Sequence, residues 1–373
     1  MAENYTGYRR YNCPRCGRQL GFQGMCLKCR SEIEREEALN FTAEKVNEMQ
    51  EYLVENIQEL ADFNEPAYGY FWKCLAYQGV ISEEVARAAV RAEVYRPEAV
   101  YYRAPEDVRD ILIERLMETE DSMTASRLMC ALAMQGDDRA LETLYELKKN
   151  PKEWRAKLYA DPDIYAQIGG WTFDEAGARR QINYPKCYSL EKTGRKDKAV
   201  TVGRVRDDKC PHCGCRLIDI LSIDGTDKRL EFLGINGKIT VTCCVNCVMY
   251  TYPSAIGSYE PDGTGEALFP YEGVGQDCDD DDYMDYEAFE NNGLELSECE
   301  RPLFYAADDW DTATIGGFGH WIQDCNIRKC PDCGKPMRYL AQLPWSEIAD
   351  GDGSLYIEIC PDCRKVSIEH QQT

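Results

Sequence analysis

Between residues 32 and 150 apolar positions recur every three or four residues, the spacing of helices with one buried face. Within 41–63, Val46, Met49, Leu53, Ile57 and Leu60 share one such face. Further helix-length units follow at 66–79, 81–95, 105–119, 121–136 and 137–150. Start signals precede several of them: Ser82 before two glutamates, Pro105 before Glu106 and Asp107, and Asp121 before Ser122. Gly79 and Gly136 stand where helices should stop. Pro151 breaks the period, and an aromatic, Gly- and Pro-rich stretch turns into strand-like alternation, with 175–177 (Glu-Ala-Gly) predicted as a hairpin turn. A charged stretch at 192–209 reads as an exposed loop and an edge strand.

Two later segments share a more specific pattern. Cys330-Pro-Asp-Cys333-Gly is followed by alternating apolar residues, a turn, a second strand and Cys360-Pro-Asp-Cys363. Cys210-Pro-His-Cys213-Gly opens the same order, which closes at Cys244-Val-Asn-Cys247. Gly237 and Gly353 occupy matching places before the second strand, so the segments read as an internal duplication. Four thiolates in two C-x2-C pairs suit a closed tetrahedral zinc site. A third set, Cys13, Cys16, Cys26 and Cys29, has nine residues between its pairs. It resembles the short zinc ribbons at the ends of many bacterial proteins, where the metal supplies most of the folding energy. Three structural zinc ions are therefore expected. Cys215 and Cys243 leave the ligand choice of the middle set open, with Cys244 favoured over Cys243 because C-V-N-C aligns with C-P-D-C. Cys74 and Cys130 lie on apolar helix faces and read as core; Cys278, Cys299 and Cys325 lack paired spacing.

The chain has 373 residues and 20 cysteines, twelve of them in C-x2-C pairs, which favours metal binding in a reducing compartment over disulfides. No apolar run approaches the ~18 residues that span a bilayer, and the first residues lack an apolar signal core, so a cytoplasmic protein without a membrane partner is expected. The net charge of −23 is unevenly spread. Residues 258–311 hold eighteen acids and one base, Arg301, a local −17. Asp277, the run 279–282, Asp285 and Glu287 are too contiguous, and lack the internal glycine, for a calcium loop. Interleaved with Tyr283, Tyr286 and Phe289, they suit docking of a basic protein. The ribbon carries Arg9, Arg10, Arg15, Arg18, Lys28 and Arg30, which a nucleic-acid binder would use and which a solvated face would equally explain.

No catalytic set emerges. Of the three histidines, His212 lies between two expected ligands, His370 near the end, and only His320 is placed to act as a base. Thiolate-only sites leave no open position for water. The glycine turn at 316–319 lacks the Lys-Ser/Thr of a phosphate loop, and Trp321 with Ile322 is expected to start a strand.

The last two helical units look like a HEAT-type hairpin turning at Gly-Asp-Asp. Stacked pairs of that kind form binding surfaces, although a bundle without a partner fits the pattern equally. Residues 316–323 (GGFGHWIQ), 330–343 (CPDCGKPMRYLAQL) and 351–363 (GDGSLYIEICPDC) resemble the YwqG-like family of bacterial proteins, and the cysteine pairs are also similar to the C-terminal region of programmed cell death protein 2. The resemblance is confined to about 315–366; it implies a mainly antiparallel β domain of two related halves and brings no catalytic residues. Some members stand beside toxin systems and are suspected immunity proteins. The expected fold is α+β, divided as a zinc ribbon (1–31), a helical domain (32–150), a first β/zinc-knuckle half (151–257), an acidic connecting segment (258–314) and a second half (315–373). The expected function is a zinc-stabilised protein-binding module, an immunity or regulatory protein with a basic partner at the helical surface or the acidic segment. The alternatives are a nucleic-acid-binding zinc-ribbon protein, using the ribbon and 186–209, and an unrecognised hydrolase built around His320.

Overall fold

A computed structural model describes residues 10–194, 199–271, 285–309, 311–349 and 351–372. Arg9, Asp277, Cys278, the acids 279–282 and Tyr283 lie outside them. The fold is α+β, with helices first and a large antiparallel sheet at the C-terminal end.

The chain opens with a two-stranded hairpin, β1 (Tyr11–Asn12) and β2 (Gln19–Leu20), and enters α1 (Leu27–Leu39). There follow α2 (Ala43–Glu55), α3 (Pro66–Trp72), which runs on as a π-helical turn over Lys73–Tyr77, α4 (Glu83–Arg91) and α5 (Glu106–Glu118). Next come α6 (Ser122–Gln135), α7 (Asp138–Lys149) and the short α8 (Pro162–Tyr165). Asp121 and Gly136 fall where the sequence places a start and a stop. Thr42 and Asp121 accept hydrogen bonds from the backbone of the first turns of α2 and α6. Gly136 closes α6 in the left-handed conformation, and Asp137 at once caps α7. The 41–63 unit is broken at Asn56 and finishes as a 3-10 turn over Ile57–Ala61.

The helical core does not end at residue 150. Trp154, Ala166, Trp171 and Phe173 are buried in it beside Leu112, Leu128 and Leu144, because large rings seal the ends of α6 and α7. Each apolar side chain so enclosed contributes ~1.5–3 kcal/mol. Phe304 and Phe318, from the far end of the chain, stack at 4.2 Å in the same core.

The strands are β3 (Trp171–Phe173), β4 (Arg179–Gln181), β5 (Cys187–Lys192), β6 (Val200–Lys209), β7 (Arg216–Asp224) and β8 (Lys238–Cys243). After α9 (Val245–Val248) come β9 (Ala255–Tyr259) and β10 (Gly265–Ala267), then α10 (Tyr286–Glu290) and β11 (Leu294–Leu296). The chain finishes with β12 (Thr314–Gly316), β13 (Arg338–Pro344), α11 (Trp345–Ile348), β14 (Ser354–Cys360) and β15 (Lys365–Gln371). β3 and β4 pair around the turn at Gly177 (φ +80°), and β6, with β7 and β8, forms a three-stranded sheet of which β6 is an edge. The eight-stranded sheet runs β10-β9-β15-β14-β13-β12-β5-β11, antiparallel throughout.

The two halves interleave rather than following one another. β5 and β9, from the first, lie in the large sheet among strands of the second, and β9 pairs with β15. Residues 258–314 are correspondingly more than a connector, since β10 and β11 come from them. One core fills the space between the sheets, with Val202, Ile218, Leu221, Ile239 and Val241 on one side and Ile315, Leu343, Leu355, Ile357, Ile359 and Ile368 on the other.

The opposite face of the large sheet is polar yet buried: Thr314, Gln342, Glu358, Ser367 and Gln371 are all at most 1 % exposed. Its side chains hold the irregular backbone that crosses them at 317–329. Gln342 Oε1 accepts from His320 N–H (2.7 Å), the Tyr356 hydroxyl from Ile322 N–H (3.1 Å) and Gln371 Oε1 from Gln323 N–H (2.9 Å). Gln371 Nε2 donates to Asp324 O, and Glu358 Oε2 accepts from Arg328 N–H, both at 2.9 Å. Trp321 and Ile322 therefore start no strand. Their backbone groups are satisfied by side chains instead of a ladder.

Glu358 also carries a pH dependence. Burial raises its carboxyl to about 8 against an ordinary 4.5, with the Glu369 charge adding to the rise and the Arg328 N–H opposing it. The folded chain thus holds a proton that the unfolded chain releases, so stability falls as pH climbs from about 4.5 to about 8. The slope is ~1.4 kcal/mol per pH unit. Glu358→Gln keeps an acceptor for Arg328 N–H and should remove that slope, gaining stability at pH 8 in urea titrations; equal slopes in both proteins would contradict it.

Candidate metal centres

Each first cysteine pair folds by the same local rule. The leading cysteine N–H donates to the carbonyl five residues on, and the following glycine N–H returns to the leading cysteine carbonyl. The distances are 2.8 and 2.9 Å for Cys13 and Gly17, 2.7 and 3.0 Å for Cys210 and Gly214, and 2.8 and 2.9 Å for Cys330 and Gly334. Those glycines sit at φ +75°, +80° and +69°, a region that strains any residue with a Cβ. The turn points two thiols to one side. The matching glycines Gly237 and Gly353 also agree, at φ +95° and +90°, each with a carbonyl 2.4 Å from where a Cβ would stand (Pro261 O and Gln371 O).

The second pairs are presented differently. Cys26 caps α1 and Cys29 lies in its first turn, so the expected boundary at residue 31 falls inside a helix. Cys244 caps α9, and Cys360 ends β14.

The folding brings together all twelve predicted ligands in three groups of four: Cys13, Cys16, Cys26 and Cys29; Cys210, Cys213, Cys244 and Cys247; Cys330, Cys333, Cys360 and Cys363. Within each group the sulfurs lie within 4.8 Å of one another. Shorter separations include 3.6 Å for Cys16–Cys26, 3.4 Å for Cys213–Cys244, 3.7 Å for Cys210–Cys247 and 3.7 Å for Cys333–Cys360. A disulfide needs ~2.05 Å, whereas a tetrahedron with ~2.3 Å zinc–sulfur arms has edges of ~3.8 Å. The donor sets thus fit a tetrahedral thiophilic metal, with four protein ligands and no open position.

The middle group contains Cys244 and neither Cys243 nor Cys215. Cys243, paired with Ile218 at the end of β8, is wholly buried, and burial pushes its thiol well above the ordinary range. Cys74 packs with Val46 and Met49, its thiol pushed to about 11 by burial. Cys299 is exposed, and Cys325 is half-buried against Trp321 and Tyr339.

Two of the ribbon's cations face acids. Arg15 reaches Glu36 at 2.6 Å and Glu32 at 3.5 Å, and Lys28 reaches Glu347 of α11 at 2.5 Å. Arg10 donates to Gln19 at 2.9 Å. In the other basic stretch Lys186 pairs with Glu300 at 3.1 Å, Lys192 with Glu347 at 3.2 Å, and Arg204 and Arg206 with the buried Asp219. His320 is fixed at its N–H by Gln342, and its Nδ1 lies 2.8 Å from Ala307 O. Among the described residues, no helix is long and apolar enough to cross a membrane.

No family model and no solved structure matches the chain, so the YwqG-like resemblance is not confirmed by those comparisons. A curated protein of Salmonella typhimurium (strain LT2), described as uncharacterized protein YpfL, is 30% identical over 279 residues. The match takes in 73% of this chain and 64% of that relative's length.

Proposed function

We propose that this protein is a zinc-stabilised binding module whose partner is a basic protein docking on the acidic stretch 258–311. The observation that carries the reading is the charge of that stretch, eighteen acids against one base, in a fold whose three thiolate groups suit structural zinc. A regulatory or immunity protein that sequesters a basic partner fits these features. Nineteen unbridged cysteines among the described residues support a reducing, cytoplasmic setting. The ribbon's ion pairs with Glu32, Glu36 and Glu347 weigh against a nucleic-acid surface there, since Arg15 and Lys28 already have carboxylate partners.

The test compares partners captured from the native host by the wild-type chain and by a variant with Asp277 and Asp279 to Asp282 changed to Asn. A basic protein held by the first, and lost from the second or by raising salt, supports the reading. Capture of nucleic acid by both proteins, abolished by Arg15→Ala with Lys28→Ala, would replace it.

A further inference from the structure

The ribbon is built more thinly than the other two thiol groups. Its core is Cys13, Cys26 and Cys29 with Leu20 and Met25 packed against them, while Phe22 and Leu27 are exposed. A cleft of about 450 Å³, walled by Arg15, Arg18 and Lys28, opens onto Cys16, Cys26 and Cys29. The middle group instead lies in the main core, and the last one hangs on β14, whose final residue is Cys360.

The ribbon's thiols also start α1. Cys13 Sγ accepts from Cys26 N–H and Cys26 Sγ from Cys29 N–H, both at 3.5 Å. No acid stands in the first turn to share that task. The helix then makes two separate attachments. Near its start Lys28 pairs with Glu347 of α11, a carboxylate that Lys192 of β5 also reaches. Further on, Arg35 pairs with Asp309 and donates to Thr312 at 2.8 Å. Beyond it Ala38 is wholly buried beside Ala76, Tyr77 and Tyr305. The second attachment is complete without the thiols. The first is not, because Lys28 stands between Cys26 and Cys29, and the turn those two ligands fix sets where it points.

We infer that the ribbon is a zinc-responsive latch: an ion on Cys13, Cys16, Cys26 and Cys29 holds Lys28 on Glu347, and its loss releases residues 13–31 while the rest of the fold stays. The inference rests on the zinc-stabilised reading above and adds that one of the three groups exchanges its ion. Residues 10–31 contain five bases and no acid, so repulsion favours the opened arm once the turn is lost. The coupling is reciprocal. Whatever the ion contributes to the Lys28–Glu347 contact, the contact contributes to keeping the ion.

The full-length zinc-loaded chain would be equilibrated in chelator buffers of falling free zinc. Bound zinc and amide hydrogen exchange would then be read by mass spectrometry. One zinc per chain should leave first. With it the amides of 13–31 should lose protection, while those of β6 to β8 and β13 to β15 keep theirs. Cys16→Ser should lack that first step alone, which assigns it to the ribbon. Lys28→Ala should raise the free zinc at which that ion is half lost about fivefold, and Lys28→Arg, which keeps the charge, should not. Loss of all three ions together, or a first loss that leaves 13–31 protected, would overturn the latch and spare the zinc-stabilised reading. So would equal retention by Lys28→Ala and the wild-type chain. A chain that holds no zinc and takes none up would overturn both.

Discussion

Cys244→Ser should lower the melting temperature far more than Cys16→Ser or Cys333→Ser, although each removes one of four ligands from an equivalent site. The reason is where the sulfurs lie. Cys210, Cys244 and Cys247 are at most 3 % exposed and belong to the main core, packed with Ile218, Val241 and Val245. The ribbon's sulfurs form a small cluster with Leu20 and Met25, and the last knuckle's a small cluster with Met337. Metal loss at the middle site leaves unpaired thiols and a broken α9 against the layer that joins the two sheets. Structural zinc sites in isolated fingers supply ~10–16 kcal/mol, and most of that would be drawn from this core. Unfolding of the β6–β8 sheet as a unit is the expected result, visible as loss of near-ultraviolet circular dichroism together with one bound zinc. Cys16→Ser should cost one zinc and little of the signal. Equal losses of stability across the three variants would refute the ranking.

Gly317→Ala should destabilise by about 3 kcal/mol, combining the left-handed conformation with overpacking. At φ +69° a Cβ there would stand 2.5 Å from Leu303 O, which already accepts from Phe318 N–H, and 2.9 Å from Sγ of the wholly buried Cys187. Gly317 N–H donates to Lys186 O at 3.0 Å, and the next residue, Phe318, stacks on Phe304 and meets the Tyr102 ring edge-on at 5.7 Å. The turn thus passes the chain from β12 directly into the helical core. Displacing it uncouples the sheet from the helices, and the loss should appear in denaturant titrations as a shifted midpoint. A change below about 1 kcal/mol would show that the turn relaxes freely.

The parts of this fold legible in the sequence are those set by short-range rules. The helical units follow from spacing three and four, and several of their ends from Ser82, Asp121 and Gly136. The knuckles follow from C-P-x-C-G, because one tight turn fixes both thiols and the glycine. The choice of Cys244 over Cys243 was readable from alignment with the last knuckle; both are wholly buried, and what separates them is place, Cys243 being paired with Ile218 at the end of β8 and Cys244 capping α9 among the other thiols.

What the sequence hides depends on long-range pairing. Nothing local tells β9 to leave β8 and join β15, so the interleaving of the halves has no signal in either segment alone. The polar face of the large sheet misleads in another way. Gln342, Tyr356, Glu358 and Gln371 look like a solvent-facing row, but their partners are backbone groups of 317–329, which form no element of their own. The boundary expected at residue 31 falls inside α1, because Cys29 is both an expected ligand and part of that helix's first turn. The Lys28–Glu347 contact, 319 residues apart, likewise has no trace in the ribbon's sequence, whose bases look free when read alone.

Three groups of four thiols, each suited to one closed metal site, underlie the zinc-stabilised reading. Its direct measurement is metal content of the freshly purified chain by mass spectrometry, joined to X-ray absorption at the zinc edge. The expected result is three zinc ions per chain and a shell of four sulfurs at ~2.3 Å, with no nitrogen or oxygen component. Fewer than three ions, or a shell containing lighter ligands, would contradict it.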